Sequence, residues 1–199
     1  MKPIKKSPLR DFLEFFSQAS MIAVFFLVFI CQQYLVKGPS MEPTLHEGDR
    51  LLVEKVSYLF SKPKRGDIVV IKHEYPKRII KRIVGLPGEI IYAQNGHLFV
   101  NGEEYAEEYI KESFQDFNLT TVKEGTYFVL GDNRNNSNDS RFFESVKKED
   151  IIGRAFLRLL PLKKFGLFVN PEYKPIGQEN PSSPYDERYG YAGYSHYYK

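Results

Sequence analysis

With 199 residues, a formal net charge of +3 and a single cysteine, this chain has room for one substantial domain plus an appendage, but not for two large domains. Cys31 alone can close no intrachain disulfide and cannot build a zinc site from several thiolates. Lysines and arginines are interleaved with carboxylates, so no basic block marks a nucleic-acid partner.

The first element is apolar. Lys2, Lys5, Lys6 and Arg10 precede residues 19–31 (ASMIAVFFLVFIC), the order of a signal peptide or a membrane anchor. The strictly apolar centre is short against the roughly 20 residues that a bilayer needs. Ser17 and Gln18 on one side and residues 32–36 on the other lengthen it at flanks that interfacial water tolerates. No small-x-small cleavage pattern follows promptly. The expectation is one transmembrane helix over residues 17–36, with residues 1–16 in the cytoplasm and everything after Val36 outside.

After the anchor the pattern turns to β. Residues 50–56 (RLLVEKV), 67–72 (DIVVIK), 78–84 (RIIKRIV), 89–93 (EIIYA), 97–100 (HLFV), 126–130 (TYFVL) and 151–160 (IIGRAFLRLL) are short runs rich in β-branched and aromatic residues. Turn formers separate them. Asn95-Gly96 predicts a tight hairpin, because a primed turn needs positive φ, and Asn101-Gly102 marks a further turn. The predicted fold is mainly β, with antiparallel sheets forming a barrel-like or sandwich body over residues 37–169. Residues 103–123 are acidic and aromatic, break the strand rhythm and read as a small inserted subdomain. Residues 170–199, rich in Pro, Gly and Tyr, read as a loosely ordered tail. The alternative for that tail is contact of its tyrosines with lipid headgroups.

The chemistry must come from few candidates. His46, His73, His97 and His196 fall in loops, a hairpin or the tail, and neither a zinc-binding H-E-x-x-H helix nor a P-loop is present. Lysine is the remaining base, and it works only where burial makes its ammonium less stable than in water. Strand alternation places Lys81 on one face with Ile79 and Ile83, a setting for desolvation. A solvated edge, with the amine snorkelling past its neighbours, is the competing reading.

Gly38-Pro39-Ser40-Met41-Glu42-Pro43-Thr44-Leu45 forces a shaped, extended backbone around Ser40. Read alone, it is equally a linker with an incidental serine. SMEPTL at residues 40–45 resembles the serine-containing box of bacterial type I signal peptidases, the leader peptidases of the Ser/Lys-dyad serine protease family. RGDIVVIK at 65–72 resembles the next box, KRIVGLPGE at 81–89 is similar to the lysine-containing box, and GDNRNNSNDSRFFE at 131–144 resembles the last.

The resemblance implies roles residue by residue. Ser40 is the implied nucleophile, Lys81 the general base, and Ser137 the hydroxyl that orients the lysine. Asp132 pairs with Arg82, and Asp139 with Arg141, as structural supports, while Met41 lines the substrate face. Gly38 stands where some relatives carry a hydroxyl residue in the oxyanion hole, so the backbone N–H of Ser40 takes that task. Asn135 stands where Asp is common, and Glu144 where glycine is usual. The implied activity is endopeptidase removal of N-terminal signal peptides from exported preproteins at the bacterial plasma membrane, with no metal and no organic cofactor. Preprotein signal peptides and membrane lipid are the implied partners, and the resemblance leaves room for the export machinery as another. Competing readings are another Ser/Lys protease of related fold, such as a self-cleaving repressor domain, and a membrane-tethered binder of exported chains that does not cut.

Overall fold

The structure is a computed structural model that describes residues 8–29, 31–74, 76–171, 173 and 175–176. In chain order the elements are α1 (Pro8–Phe29), β1 (Cys31–Leu35), β2 (Arg50–Glu54), α2 (Ser57–Phe60), β3 (Ile68–Lys72), β4 (Arg78–Gly85) and β5 (Ile90–Gln94). Then follow β6 (His97–Val100), β7 (Glu103–Tyr105), β8 (Phe117–Thr121), β9 (Thr126–Leu130), α3 (Ser140–Phe143), β10 (Val146–Lys147), β11 (Ile151–Leu160) and β12 (Gly166–Leu167).

Alternation sorts the side chains. β2 turns Leu51 and Val53 inward and leaves Arg50 in solvent. β3 lies mid-sheet and buries Ile68, Val69, Val70 and Ile71 in a row, as a strand covered on both faces must. The main sheet has the order β1-β2-β11-β3-β4-β9-β10, with β12 added to β11. A smaller sheet has the order β7-β6-β5-β8, and every pairing in both sheets is antiparallel. Asn95-Gly96 and Asn101-Gly102 make the β5–β6 and β6–β7 turns, all four residues with positive φ as their identity predicts.

The small sheet packs onto the main one through Ile91, Leu98, Val100 and Phe114 against Val84, Phe128 and Leu130. A second core joins Met41, Leu45, Leu51, Val53, Ile68 and Val70. A third lies around Val69, Ile71, Ile83 and Val129. Each fully buried Leu or Ile contributes about 1.5–3 kcal/mol, so these clusters hold the sheets and the connecting loops in register.

Four expectations change. The body is a pair of packed open sheets, not a barrel, because β1 and β10 end the main path without pairing to each other. The unit expected at 103–123 starts earlier: β7 and β8 complete a sheet already begun by β5 and β6, whose apolar face needed more partners than a hairpin supplies. The helix runs from Pro8 to Phe29 instead of over 17–36, and Cys31–Leu35 is β1, paired in register with β2 and burying Cys31. Among the described residues no helix is long and apolar enough to cross a membrane.

The fourth concerns the tail, whose beginning is docked. Asn170 donates to Asp67 Oδ1 at 2.8 Å, the Tyr173 hydroxyl meets that of Tyr109 at 2.6 Å, and Ile176 N–H donates to the Glu104 carbonyl at 2.8 Å. Residues 177–199 lie outside the described residues, as do 1–7.

Candidate active site

Ser40 sits in the loop that carries the chain from β1 to β2. Two turns shape that loop, with Glu42 N–H donating to the Pro39 carbonyl at 3.0 Å and Leu45 N–H to the Met41 carbonyl at 2.8 Å. Met41 and Leu45 pin it into the core, which leaves Ser40 between them and β1. Lys81 comes from the middle of β4, opposite Val69 of β3. Its strand neighbours Ile79 and Ile83 belong to the apolar cluster that includes Val69 and Val129, so the lysine stem rises over apolar ground and only 3% of the residue is exposed.

The amine reaches the serine. Lys81 Nζ lies 2.7 Å from Ser40 Oγ, across 41 positions of sequence. Burial lowers the lysine pKa to about 8, helped by the positive Arg141 and Lys77 and opposed by Asp139 and Asp132. The solvated-edge reading of Lys81 is thereby excluded.

The charged residues of the last box form a frame around this pair. Arg82, next to Lys81 and pointing the other way, donates Nε to Asp132 Oδ1 at 2.8 Å and Nη2 to Asp132 Oδ2 at 2.6 Å, with both side chains buried. Its Nη1 donates to the Gly66 carbonyl at 3.0 Å, and its guanidinium lies 4.2 Å from the centroid of the Tyr109 ring. Asp139 accepts from Arg141 Nε and Nη2, both at 2.8 Å, and from the Gly131 N–H at 3.0 Å. The 131–137 loop then meets the Ser40 loop directly, with Asn133 N–H donating to the Ser40 carbonyl at 3.1 Å. Gly131 is required there: an added Cβ would collide with the Ser40 carbonyl oxygen and the Ser137 hydroxyl.

Some expected residues sit differently. Met41, expected on the substrate face, is 1% exposed and packs with Leu51, Val53 and Val70, because its side chain anchors the loop that presents its neighbour. Ser137 lies beside Gly131, but its buried Oγ has no hydrogen-bond partner among the described residues. Gly38 has φ +78° and open space where a Cβ would stand. Asn135 donates to the Ser113 carbonyl at 3.0 Å and so ties the loop to the small sheet's connection. Glu144 ends α3 with φ +66°, which explains why glycine suits that position.

Sequence reasoning missed Glu107 and Arg134. Arg134 is buried, donates Nη1 and Nη2 to the Glu107 carboxylate at 2.6 and 2.7 Å, and donates Nε to the Gly131 carbonyl at 3.0 Å. The arginine was visible inside the last box, but nothing in the stretch around Glu107 marks it as the partner. Asp67 of the second box is likewise structural, accepting from Tyr58 Oη and Lys64 N–H, both at 2.8 Å. Among the described residues no group of His, Cys, Asp and Glu is placed to hold a metal ion.

A hydroxyl beside an amine of lowered basicity can lose its proton to that amine and add to a carbonyl. Ser40 and Lys81, set in a mainly β chain, present such a pair.

Comparison with known proteins carries this to the family. A family model described as "Signal peptidase, peptidase S26" matches residues 9–160. A signal peptidase I of Leptolyngbya laminosa is 38% identical over 176 residues, covering 83% of this chain and 86% of its own length. Signal peptidase I P of Bacillus subtilis subsp. natto is 40% identical over 173 residues, covering 80% of this chain and 94% of its own. A solved signal peptidase I from Enterococcus faecalis V583 has 36% identity, covers 47% of this chain and 97% of its own, and gives a TM-score of 0.42. The chain belongs to the signal peptidase family, peptidase S26, and its function is that of a type I signal peptidase, a serine endopeptidase.

Proposed function

We propose that Ser40 is the nucleophile and Lys81 the general base with which this chain cuts N-terminal signal peptides from exported preproteins. The observation that carries the assignment is the 2.7 Å approach of Lys81 Nζ to Ser40 Oγ, made by a lysine that burial holds near pKa 8. Neutral Lys81 takes the Ser40 proton as Oγ bonds to the carbonyl carbon that precedes the cut. The resulting ammonium returns a proton to the departing amine as the peptide C–N bond breaks. Water, losing a proton to the same lysine, then adds to the ester, and Ser40 is released with its proton restored. The Ser40 N–H makes no hydrogen bond to protein among the described residues, which leaves it free to donate to the developing oxyanion. Gly38 opens the space beside it.

The leader peptide fits as an added strand. Among the described residues β4 pairs with β9 only from Arg82 onward, so Arg78 to Lys81 keep one edge open, and β1 pairs only with β2. Arg78 Nη1 donates to the Tyr34 hydroxyl at 3.2 Å, which brings the two open edges together just ahead of the reacting pair. An extended chain laid there gains backbone hydrogen bonds whatever its side chains are, as a peptidase of many clients needs. Ser137 is assigned the orientation of the Lys81 amine. The Arg82–Asp132 and Asp139–Arg141 pairs are assigned the rigidity of the frame. Met41 supports the serine from beneath.

Lys2, Lys5, Lys6 and Arg10 favour a cytoplasmic N-terminus at the plasma membrane, with the catalytic body outside. Phe12, Phe16, Ile22 and Phe25 of α1 are exposed apolar side chains that suit a lipid environment. Signal peptides of membrane-bound preproteins are then the substrates that meet this site.

The test is cleavage of a preprotein by purified Ser40→Ala and Lys81→Ala proteins whose circular dichroism matches the parent. Loss of cleavage in both is expected. Full activity in either overturns the assignment, and an inactive parent with intact binding of exported chains would favour a tethered binder.

A further inference from the structure

The chain beyond β12 takes no part in the proton transfers, yet it is braced against the frame of the site. Asn170 ties it to the main sheet through Asp67. Pro175 bridges to Tyr105 and Ile176 N–H donates to the Glu104 carbonyl, so the same segment extends the β7 edge of the small sheet. Tyr173 lies between these two ties. Its ring packs on Gly66, where an added Cβ would stand 3.1 Å from Tyr173 Cε2 and 3.2 Å from Pro171 Cδ. The Arg65 guanidinium lies 5.8 Å from the centroid of that ring. The Tyr173 hydroxyl meets the Tyr109 hydroxyl at 2.6 Å, and the two rings sit edge to face with centroids 6.1 Å apart. Burial raises the pKa of both phenols, so both hydroxyls stay protonated and the contact carries no charge.

Both contacts lead to Arg82. The Gly66 carbonyl accepts from Arg82 Nη1 at 3.0 Å, and the Tyr109 ring lies 4.2 Å from the same guanidinium, which its negative face attracts. Arg82 in turn holds both segments that place the serine. Its Nη2 reaches Thr44 Oγ1 in the Ser40 loop at 3.4 Å, and its Nε and Nη2 hold Asp132. The neighbours of Asp132 both meet the Ser40 carbonyl: Asn133 N–H donates to it at 3.1 Å, and Gly131 approaches so closely that an added Cβ would collide with it. Arg82 points away from Lys81, so its influence runs through the backbone of the serine and not through the amine. A guanidinium with several partners is directional, and a shift at one contact moves the others. Resting on the assignment of Ser40 as the nucleophile, we propose that Tyr173 is a positioning residue for Ser40. Its ring on Gly66 and its hydroxyl on Tyr109 hold Arg82 where it meets Asp132 and Thr44 together.

The experiment compares Tyr173→Ala and Tyr173→Phe in the full chain with the parent, by kcat and KM on one signal-peptide substrate, well below the melting temperature of each protein. Tyr173 meets Arg65, Gly66, Tyr105 and Tyr109, none of them on the open edges of β1 and β4. KM is therefore expected to stay within about twofold of the parent. A displaced nucleophile lowers kcat, and Tyr173→Ala is expected to lose about tenfold or more. Tyr173→Phe keeps the ring on Gly66 but loses the hydroxyl contact, and its kcat is expected to fall between the two, about threefold below the parent. A lower Tm with parent kcat in Tyr173→Ala, or a loss carried by KM alone, makes Tyr173 merely structural and overturns the proposal. Equal losses in the two variants leave the ring no part in it and overturn it too. Parent kcat in Tyr173→Phe does the same, even where the alanine variant fails to fold. Activity kept by Ser40→Ala would instead remove the nucleophile assignment itself. With Ser40→Ala inactive and Tyr173→Ala at parent kcat, that assignment stands and the positioning role alone falls.

Discussion

Arg134 and Glu107, 27 positions apart, form a two-pronged ion pair whose side chains are 1% and 3% exposed, and this pair locks the small sheet's connection to the loop that holds the Ser40 carbonyl. Removing one partner strands the other charge away from water. Glu107→Ala is therefore expected to lower stability by about 3–5 kcal/mol, a fall in Tm on the order of 10 °C, while replacing both residues by apolar ones of similar volume recovers most of the loss. Thermal unfolding followed by circular dichroism checks both, and a Glu107→Ala melt like that of the parent would show that the pair is not stabilising.

Lys81 titrates near pH 8, so kcat/KM is expected to rise about tenfold per unit below that pH and to level off above it. A profile that keeps climbing beyond pH 10 would assign the limb to a group in solvent. The same shift acts on stability. Folding lowers the lysine pKa from 10.5 to about 8, so the unfolded chain binds more protons between those values and stability rises with pH across them. Lys81→Met is expected to lose activity yet gain about 3 kcal/mol at pH 7, a gain that fades as pH rises toward the value for free lysine. Denaturant midpoints at pH 7 and pH 10 measure the difference.

Ser137→Ala separates a structural from an orienting hydroxyl. Its buried Oγ has no hydrogen-bond partner among the described residues, so deleting it exposes no stranded donor and is expected to leave Tm unchanged or slightly higher. If the hydroxyl steers the Lys81 amine during turnover, kcat/KM falls about tenfold or more, within the range that a positioned acid or base supplies. A stable variant with full activity would reduce Ser137 to packing against Gly131.

Glu144 occupies φ +66°, ψ −177°, a region that almost only glycine populates. Its carboxylate is exposed and reaches Lys123 only at 3.7 Å, both in solvent, so little is lost with the side chain. Glu144→Gly is expected to raise stability by about 1 kcal/mol, visible as a few degrees in Tm. Glu144→Ala keeps a Cβ in the same conformation and should bring no such gain. Equal melts for the two would place the strain elsewhere.

Residues 50–54, 68–72 and 126–130 were readable as strands because β-branched and aromatic content and flanking turn formers agree there. Asn95-Gly96 was readable for a local reason as well, the φ that its turn requires. Residues 31–35 misled because Cys, Gln, Tyr and Leu suit an interfacial helix end as well as an edge strand, and only pairing with β2 decides between them. The break between the small sheet and the main one was hidden likewise, since Ile91 and Ala93 look the same whichever sheet they complete.

The amino-acid sequence by itself determined the mainly β class and the shaped backbone around Ser40, both properties of neighbours along the chain. Tertiary structure alone decided that Lys81 is buried, that its amine meets Ser40, that Met41 faces the core, and that Glu107 belongs to Arg134. The physical reason is that desolvation and charge pairing depend on what surrounds a group in space. For Lys81 those surroundings come from the Ser40 loop, β3 and the loop after β9, which meet only when the sheets close.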